Sequence, residues 1–409
     1  MNLNFLKKYD NSTYIVLFLT IIGFLTRLFY LNNGPLWNDE LATLYYATQE
    51  NLDEVRLRVF YNEEPFTHIW FWWKRLNYYI LENLFSIETQ TRFSALVFGT
   101  LAIPMSFKVS SNFTTKINSY FVCASTSLLT TFVFYSTEGR MYSAMLFLGM
   151  LLIDYSYKNK LSYFKKLIYI ISASFFIQIH FFAFFFFLII LLFQLIKRQK
   201  EQMFLSLVSL ITFITTIPFL LKLFMYSRNN TWIPSSSIKA ILGDYFFFSF
   251  VSIPGYLEEK FTILFIIAFI IIIIFKIKNK EKLWDIYFGF SLLVLVYVKS
   301  LFSQAAFLPR YLIMCIPFLY IMIFSTTYFK KLKKDVILKS FIFFSLIFST
   351  VFLTSKTIHQ RSNIPFIKEE IDKTYDPNIN STIIICDYLD VRKYLNERFK
   401  TYEKLSFEC

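Results

Sequence analysis

The sequence predicts an all-α polytopic membrane protein with about eleven transmembrane helices. Of its 409 residues, 56% are hydrophobic and 21% aromatic. Charged residues make up only 17% of the chain, whereas soluble domains have roughly 25%. The mean hydropathy is +0.49, and apolar segments of near-spanning length recur between short basic runs. These observations exclude an ordinary soluble domain.

The predicted spans follow from hydropathy averaged over about 19 residues. They are Tyr14–Tyr30, Phe93–Ser110, Ser119–Tyr135, Tyr142–Tyr157, Leu167–Ile196, Phe204–Phe224, Thr262–Phe275, Trp284–Lys299, Tyr311–Tyr328 and Val336–Thr354. The run Leu167–Ile196 is too long for one span, so we expect a turn at Gln178–His180 to divide it into two short helices.

The net charge of +14 comes from 42 basic and 28 acidic residues. Most lysines lie in runs that fall on one face of the predicted topology, which the positive-inside rule assigns to the cytoplasm. This pattern predicts a multi-pass protein of the inner (plasma) membrane and no nucleic-acid partner. We expect the N-terminus to be cytoplasmic, the first segment to be an uncleaved signal anchor and the C-terminus to be extracytoplasmic.

Two parts of the chain are expected to lie outside the cytoplasm. Residues 1–355 form the predicted transmembrane domain, in which the first extracytoplasmic loop, 32–90, carries interfacial helices. One helix is expected from Leu41 and another, rich in Trp and Tyr, from Pro65 to about Glu82. We expect those aromatic side chains to be belt residues at the membrane surface, and the alternative is that they form platforms for stacking sugars.

The second part is a small C-terminal segment, 356–409. We expect a strand at Thr382–Cys386 and a helix at Tyr388–Phe399. Cys386 and Cys409 would share a compartment that permits disulfides, and the sequence leaves open whether they pair.

An acid pair, Asp39 and Glu40, follows the first apolar segment directly. A carboxylate this close to hydrocarbon costs several kcal/mol unless it is hydrated or paired, so the position indicates a functional site. The alternative is a loop acid that caps a helix beginning at Leu41.

Basic side chains also lie at the predicted outer ends of spans, against the charge rule. They are Arg27, Arg92, Arg140, Lys299 and Arg310, and the acids predicted on the same face are Asp39, Glu40, Glu63, Glu64 and Glu138. Arginine donates two parallel hydrogen bonds to phosphate, so the group suits a substrate that combines phosphate with hydroxyls. The alternative is that each cation snorkels or forms a structural ion pair.

Four short motifs resemble the GT-C superfamily of integral-membrane glycosyltransferases. Leu36–Glu40 (LWNDE) is similar to the family's "slwyDE", and Thr91–Gly99 (TRFSALVFG) to its "lRlpSallG". Glu138–Tyr142 (EGRMY) is similar to "eaRmY", and Pro309–Tyr311 with Pro317 to "RYll..lP". The branch with the greatest similarity contains the bacterial relatives of protein O-mannosyltransferases and the lipid A aminoarabinose transferase (glycosyltransferase family 39-like).

The resemblance implies transfer of a sugar from a polyprenyl phosphate to an acceptor hydroxyl at the extracytoplasmic face. The acceptor could be a lipid, a glycan of the cell envelope or a protein. Asp39 and Glu40 would be catalytic, with Asp39 as base or metal ligand. Residues expected to bind substrate are Glu64, Arg92, Glu138, Arg140, Tyr142, Arg310 and Tyr311. In some relatives the acid helps to hold a divalent metal ion, for which Asp39, Glu64 and His180 are the candidates here.

The sequence also departs from the family. Its "HPPlyy" is replaced here by Glu63–His68 (EEPFTH), so the roles of that His and second Pro do not carry over. Two other functions remain open. One is another lipid-linked glycan enzyme, similar to O-antigen ligases or polymerases, and the other is a polytopic lipid or sugar transporter. A transporter would show paired halves or broken helices in corresponding positions, and neither is evident.

Overall fold

The computed structural model describes residues 11–32, 34–61, 68–82, 84–218, 241–242, 245–246, 249–250, 258–302, 308–329, 331–359, 381–384 and 405–408. These residues are mainly helical, as predicted. The predictions for Glu63, Glu64, Cys386, Cys409 and the helix at Tyr388–Phe399 fall outside the described residues.

The helices follow one another with short connections. They are α1 (Asn11–Leu31), α2 (Asn38–Ala47), α3 (Leu52–Tyr61), α4 (His68–Leu81), α5 (Ile87–Ser110), α6 (Lys116–Leu128), α7 (Thr130–Ser136), α8 (Tyr142–Ser156), α9 (Tyr163–Ile179), α10 (Phe181–Ile196), α11 (Lys200–Ile211), α12 (Glu258–Lys278), α13 (Trp284–Phe302), α14 (Ile316–Ser325) and α15 (Leu332–His359). Two 3₁₀ turns, Thr212–Thr216 and Pro309–Leu312, follow α11 and precede α14.

Every predicted span overlaps one or two of these helices, but few of them, within the described residues, combine the length and the apolar composition of a membrane span. In the described part, α1 and α5 have both the length and the apolar composition of a span. The pair α6 and α7 is a third candidate, bent by 51°. Helices α8, α10, α13 and α14 are apolar but shorter. Apolar helices of this kind are typical of a membrane protein, although the number of about eleven spans is not confirmed.

The long apolar run breaks at His180, as the sequence predicts. The backbone of His180 is extended, with φ −162° and ψ 144°, so α9 ends and α10 begins at this residue. Its Nδ1 accepts a hydrogen bond of 3.0 Å from the backbone N–H of Phe182. His180 is therefore the N-cap of α10.

Arg27 has a different place from the one predicted. Its side chain is buried and donates to the carbonyls of Thr126 and Ser127, both at 2.7 Å, and to that of Gly23 at 2.9 Å. These carbonyls of α6 lose their helical partners because the chain bends at Leu129. Arg27 thus binds the end of a broken helix and does not join the outer group of cations.

Helix α8 lies at the centre of the core. All of its residues except Phe147 are buried, and it packs against α5, α7, α9 and α10. Because α8 begins at Tyr142, the tightly packed core fixes the position of the residues that immediately precede it.

Two buried aspartates are enclosed by cations far from the acid pair. The first aspartate, Asp285, belongs to a group that we call the lysine cluster because Lys276 lies at its centre. Its members are Lys276, Glu281, Asp285 and Ser325. Lys276 Nζ lies 2.8 Å from Asp285 and 3.3 Å from Glu281, and Ser325 donates to Asp285 at 3.0 Å. The second aspartate, Asp154, is paired with Lys108 and Lys158 at 2.9 and 3.4 Å. Both groups lie where the sequence predicts the cytoplasmic face.

The first loop contains more helix than predicted. Helix α2 begins at Asn38 rather than Leu41, so Asp39 and Glu40 belong to its first turn, and α3 was not expected. Helix α4 agrees with the predicted aromatic helix, and it packs against α5 and α9 while leaving Tyr79 80% exposed.

The C-terminal segment contributes one parallel pair of strands, β1 (Ser381–Ile384) and β2 (Leu405–Glu408). The register pairs Ser381 with Leu405. Strand β1 overlaps the predicted strand at Thr382–Cys386.

Candidate active site

Glu40 is fully enclosed by protein donors. Its carboxylate accepts hydrogen bonds from Arg92 Nε at 2.8 Å and from Arg92 Nη2 at 2.7 Å. The backbone N–H of Gly139 donates to the same carboxylate at 2.8 Å, and that of Trp37 at 3.4 Å. A buried bidentate pair of this kind holds two elements in a fixed relation.

Arg92 uses all its donors within the protein. Besides Glu40, its Nη1 donates to Leu31 O at 2.9 Å and to Gly34 O at 3.0 Å, and its Nη2 donates to Pro35 O at 2.9 Å. Five N–H groups therefore meet five acceptors, which is the full capacity of a guanidinium. Arg92 ties the end of α1, the turn before α2 and the start of α5 together. We name this arrangement of Glu40, Arg92 and Gly139 the Glu40 clamp.

Gly139 must be a glycine for this clamp to close. A Cβ atom at this position would lie 2.5 Å from Thr91 Cγ2 and 3.0 Å from the Thr91 carbonyl oxygen. Its absence lets the connection between α7 and α8 approach α5 closely enough for the Gly139 N–H to reach Glu40. The next residue, Arg140, is thereby placed beside α2.

Asp39, in contrast, is only partly enclosed. Its side chain is 24% exposed, yet its Oδ2 is buried. Oδ2 lies 3.2 Å from Arg310 Nη1 and 4.0 Å from Arg140 Nε. Oδ1 is therefore the carboxylate oxygen that a ligand can meet.

Arg140 also braces the backbone of Asp39. Its Nη1 donates to the carbonyl of Asp39 and to Thr43 Oγ1, both at 3.2 Å, and Thr43 in turn donates to the same carbonyl at 3.0 Å. Two arginines that the sequence places 170 positions apart, Arg140 and Arg310, thus meet at one carboxylate.

Aromatic rings surround the guanidinium of Arg310. Its Cζ lies 5.9 Å from the ring centroids of Trp37, Tyr142 and Tyr311, and cations in this position are attracted to the ring faces. Tyr311 packs against Phe182, with its ring centroid at 4.8 Å. The rings shield the arginine, whose side chain is 22% exposed.

The remaining predicted site residues differ in their surroundings. Glu138 is fully buried in the connection between α7 and α8. The ring of His180 lies 4.9 Å from that of Tyr311, so it borders the site while its Nδ1 caps α10. Lys299 belongs to α13, and its side chain is not among those described.

Lys74 is a buried cation that the sequence analysis did not select. Its Nζ donates to the carbonyl of Thr91 and lies 5.2 Å from the ring centroid of Trp70. Burial lowers the pKa of Lys74 to about 7, with the carboxylate of Glu40 acting in the opposite direction. The hydroxyls of Tyr78 and Thr91 are hydrogen-bonded at 2.9 Å, so α4 is attached to α5 directly behind the Glu40 clamp.

A metal ion does not fit the residues that surround Asp39 in the described part. No three His, Cys, Asp or Glu side chains there come together as a potential ligand set. The neighbours of Asp39 are the cations Arg140 and Arg310, which repel a divalent cation. Of the other two candidate metal ligands, His180 is described above, and Glu64 lies outside the described residues.

Known structures resemble the arrangement of these helices. A scan against protein-family models and a sequence search against curated proteins both give no match. An oligosaccharyltransferase of Archaeoglobus fulgidus, solved in complex with zinc and sulfate, matches 96% of this chain with a TM-score of 0.50 and 12% identity. The chain has the GT-C fold.

A second structure with the GT-C fold was also found. The apo structure of ArnT from Cupriavidus metallidurans matches 76% of this chain with a TM-score of 0.49 and 13% identity. This chain spans 62% of the oligosaccharyltransferase chain and 59% of the ArnT chain. The oligosaccharyltransferase structure confirms the resemblance of fold that the four motifs predict.

Proposed function

We propose that this protein is a membrane glycosyltransferase that moves a sugar from a polyprenyl-phosphate donor to an acceptor hydroxyl. The observation that carries the proposal is the geometry of Asp39. It combines one accessible carboxylate oxygen with two arginines, in a fold shared with known glycosyltransferases. The acceptor class includes lipids, glycans and proteins.

In this proposal Asp39 Oδ1 is the general base. It takes the proton of the acceptor hydroxyl while the acceptor oxygen forms a bond to the anomeric carbon. The bond from that carbon to the phosphate oxygen breaks, and its electron pair stays on the phosphate. This single displacement inverts the configuration of the sugar.

Arg310 and Arg140 stabilise the negative charge of the departing polyprenyl phosphate. Preorganised cations are more effective here than in water, because aromatic rings surround Arg310 and leave only part of its side chain exposed. No step is assigned to a metal ion, since the described residues near Asp39 do not form a ligand set. Tyr142 and Tyr311 contact the same phosphate region, and Glu64 remains a predicted substrate ligand.

Three predicted roles change in this proposal. Glu40 was expected to be catalytic and Arg92 to bind substrate, but each is consumed by the Glu40 clamp. We assign both to the positioning of Asp39 and Arg140. Glu138, fully buried beside the clamp, is assigned with them.

The proposed topology is that of the sequence analysis. The chain crosses the inner (plasma) membrane about eleven times, with the N-terminus in the cytoplasm and the site in the first extracytoplasmic region. Residues 1–355 form the catalytic domain, and residues 356–409 a small extracytoplasmic segment.

The first prediction tests the base. Asp39→Asn keeps the shape of the side chain and removes the charge, so transfer should fall by about 10²–10⁴-fold. The measurement is transfer of a radiolabelled sugar from polyprenyl phosphate by purified protein in detergent, with lipid, polysaccharide and protein acceptors. Arg310→Ala should weaken donor binding and slow transfer, and Arg310→Lys should restore only part, because Lys cannot form the bidentate contact.

Asp53→Asn is the matched control, because Asp53 is an exposed acid in the first turn of α3. The control should transfer sugar like the wild type. A stably folded Asp39→Asn protein with wild-type transfer would refute the catalytic role of Asp39.

A further inference from the structure

Three connections between helices meet at one end of the protein, on the face predicted to be cytoplasmic. Glu201, in the first turn of α11, accepts a hydrogen bond of 2.9 Å from the Leu161 N–H and pairs with Lys166 at 3.3 Å. The α8–α9 and α10–α11 connections are therefore in contact. Lys197, just after α10, has its Nζ 4.6 Å from the ring centroid of Trp284, the first residue of α13. The α12–α13 connection thus lies beside the α10–α11 connection.

The three connections carry a strongly basic surface, which we call the basic patch. Its exposed members are Lys160, Lys165, Lys197, Arg198, Lys200, Lys278, Lys280 and Lys282. Four acids lie in or beside the connections, and each is paired with a lysine outside the patch; they are Asp154, Glu201, Glu281 and Asp285. The positive charge of the patch is therefore not compensated by these acids, and it favours an anionic partner.

Two residues of the basic patch have a backbone conformation that favours glycine. Arg198 has φ 55° and Lys280 has φ 53°, and no other non-glycine residue in the described part of the chain has a positive φ. Each lies two residues past the end of an apolar helix, and the N–H of the next residue donates to a carbonyl five positions back. Glycine is the preferred residue at such a helix end. A basic side chain kept at this cost indicates that its charge has a use, either for the helix dipole or for a ligand.

Exposed apolar side chains adjoin these charges. At the start of α9, Tyr163 is 86% exposed and Phe164 is 67% exposed, and at the end of α10, Leu195 and Ile196 are 58% and 53% exposed. Basic side chains directly beside exposed apolar ones are typical of the headgroup level of a bilayer, where the apolar groups reach the acyl chains. The combination favours a membrane surface over an acidic polymer such as nucleic acid, which has no apolar phase to receive them.

We propose that the basic patch binds the anionic headgroups of phospholipids in the cytoplasmic leaflet, with Arg198 and Lys280 among its ligands. Their N–H groups donate charge-assisted hydrogen bonds to the phosphate oxygens, while Tyr163 and Phe164 contact the acyl chains. The surface is separate from the candidate active site, because α8 has Tyr142 at one end and the α8–α9 connection at the other, about 22 Å away. The inference goes beyond sugar transfer and takes only the leaflet from the proposed topology.

The second prediction removes the two charges together with their backbone strain. Arg198→Gly and Lys280→Gly should each weaken binding of phosphatidylglycerol by about fivefold, and the double variant by about 25-fold, from the attraction of one basic residue to an anionic surface. Native mass spectrometry of the purified full-length protein in neutral detergent, titrated with the lipid, measures the affinity. The wild type should bind phosphatidylcholine, which has no net charge, more weakly. Melting temperatures in the same detergent without lipid should stay equal or rise, because glycine adopts a positive φ without strain.

Two further variants serve as controls. Arg198→Lys keeps the charge at the same position and should bind phosphatidylglycerol nearly as the wild type does. Arg56→Gln removes one exposed positive charge from α3, outside the basic patch, and should leave the affinity unchanged. If one glycine variant does not fold, the other tests the patch by itself, because Arg198 and Lys280 lie in different connections.

Three outcomes would overturn the inference. One is wild-type affinity for phosphatidylglycerol in the folded double variant. Another is equal affinity of the wild type for phosphatidylglycerol and phosphatidylcholine, which would direct the search to an acidic protein as the partner of the patch. The third is a lower melting temperature of the glycine variants without lipid, because the two cations would then stabilise their helix ends. None of these results bears on sugar transfer, so the proposed function stands or falls separately.

Discussion

The carboxylates of Asp285 and Asp39 both lie beside basic side chains, but only Asp285 is fully enclosed. Asp285 is 1% exposed, is paired with Lys276 at 2.8 Å and accepts a hydrogen bond from Ser325. Asp39 is 24% exposed, and the nitrogens nearest to it stand at 3.2 and 4.0 Å. Both carry a charge in an apolar protein, and they differ in how completely it is satisfied.

This difference separates a structural charge from a candidate functional one. A buried charge whose partners are complete fixes the helices that contribute them, and removal of one partner is costly. A charge with an accessible oxygen is less well satisfied, and such groups persist where a ligand uses them. Glu40 belongs with Asp285 in this respect, although it is adjacent to Asp39 in the sequence.

The third prediction concerns a variant in which the Glu40 clamp is broken. We expect its effect to be larger than those of the fourth and fifth predictions. Glu40→Gln removes the charge that compensates Arg92, which leaves a buried cation unpaired at a cost of about 3–5 kcal/mol. Transfer should also fall by about 10²-fold, because the turn that holds Asp39 is displaced. Thermal denaturation and the transfer assay together measure both effects.

Glu50→Gln, an exposed acid just after α2, should change neither quantity. A Glu40→Gln protein that lost transfer without loss of melting temperature would show that Glu40 acts in the chemistry, as the sequence analysis expected.

The fourth prediction concerns the lysine cluster. Asp285→Asn should lower the free energy of unfolding by about 3 kcal/mol, toward the lower end of the range for a broken buried pair, because Lys276 keeps Glu281 as a partner. Transfer per folded molecule should stay at the wild-type level. If a stable Asp285→Asn protein selectively lost transfer, Asp285 would not be a purely structural charge, and its distinction from Asp39 would be refuted.

The fifth and smallest effect is a dependence of stability on pH. Burial lowers the pKa of Lys74 to about 7, below its ordinary value of 10.5. Between these values the unfolded chain binds a proton that the folded chain does not, so stability should rise with pH by up to about 1.4 kcal/mol per unit. The difference in melting temperature between wild type and Lys74→Met, followed from pH 7 to about pH 9, should show this slope.

That slope should be absent in the variant, since Met cannot titrate. Parallel pH profiles of the two proteins would mean that Lys74 keeps its charge when folded.

Much of the helical frame was predictable because hydropathy is a property of local sequence. The segment Phe93–Ser110 agrees with α5 and the break near His180 with the ends of α9 and α10. The number of membrane spans was less predictable, because short apolar helices such as α14 can be enclosed by other helices. The start of α2 was placed three residues too late, since Trp37 is an unusual N-cap residue.

The site was predictable by residue type and less so by role. Charge placed Asp39, Arg140 and Arg310 on one face, and the structure brings them to one carboxylate. The sequence could not reveal that Glu40 and Arg92 satisfy each other, because that pairing depends on the approach of α2 to α5. Lys74 was missed since no signal marks a cation among aromatic residues as buried.

The contact of Arg27 with the broken end of α6 has a consequence for biogenesis. The carbonyls that hold its guanidinium belong to Thr126 and Ser127, about a hundred residues later in the chain. While the protein is being synthesised, α1 therefore leaves the ribosome before the two α6 carbonyls that bind its arginine exist, and only the Gly23 carbonyl of its own helix is present. The packing of α1 around Arg27 can therefore be completed only after α6 has been made, so this contact requires α1 and α6 to assemble in that order.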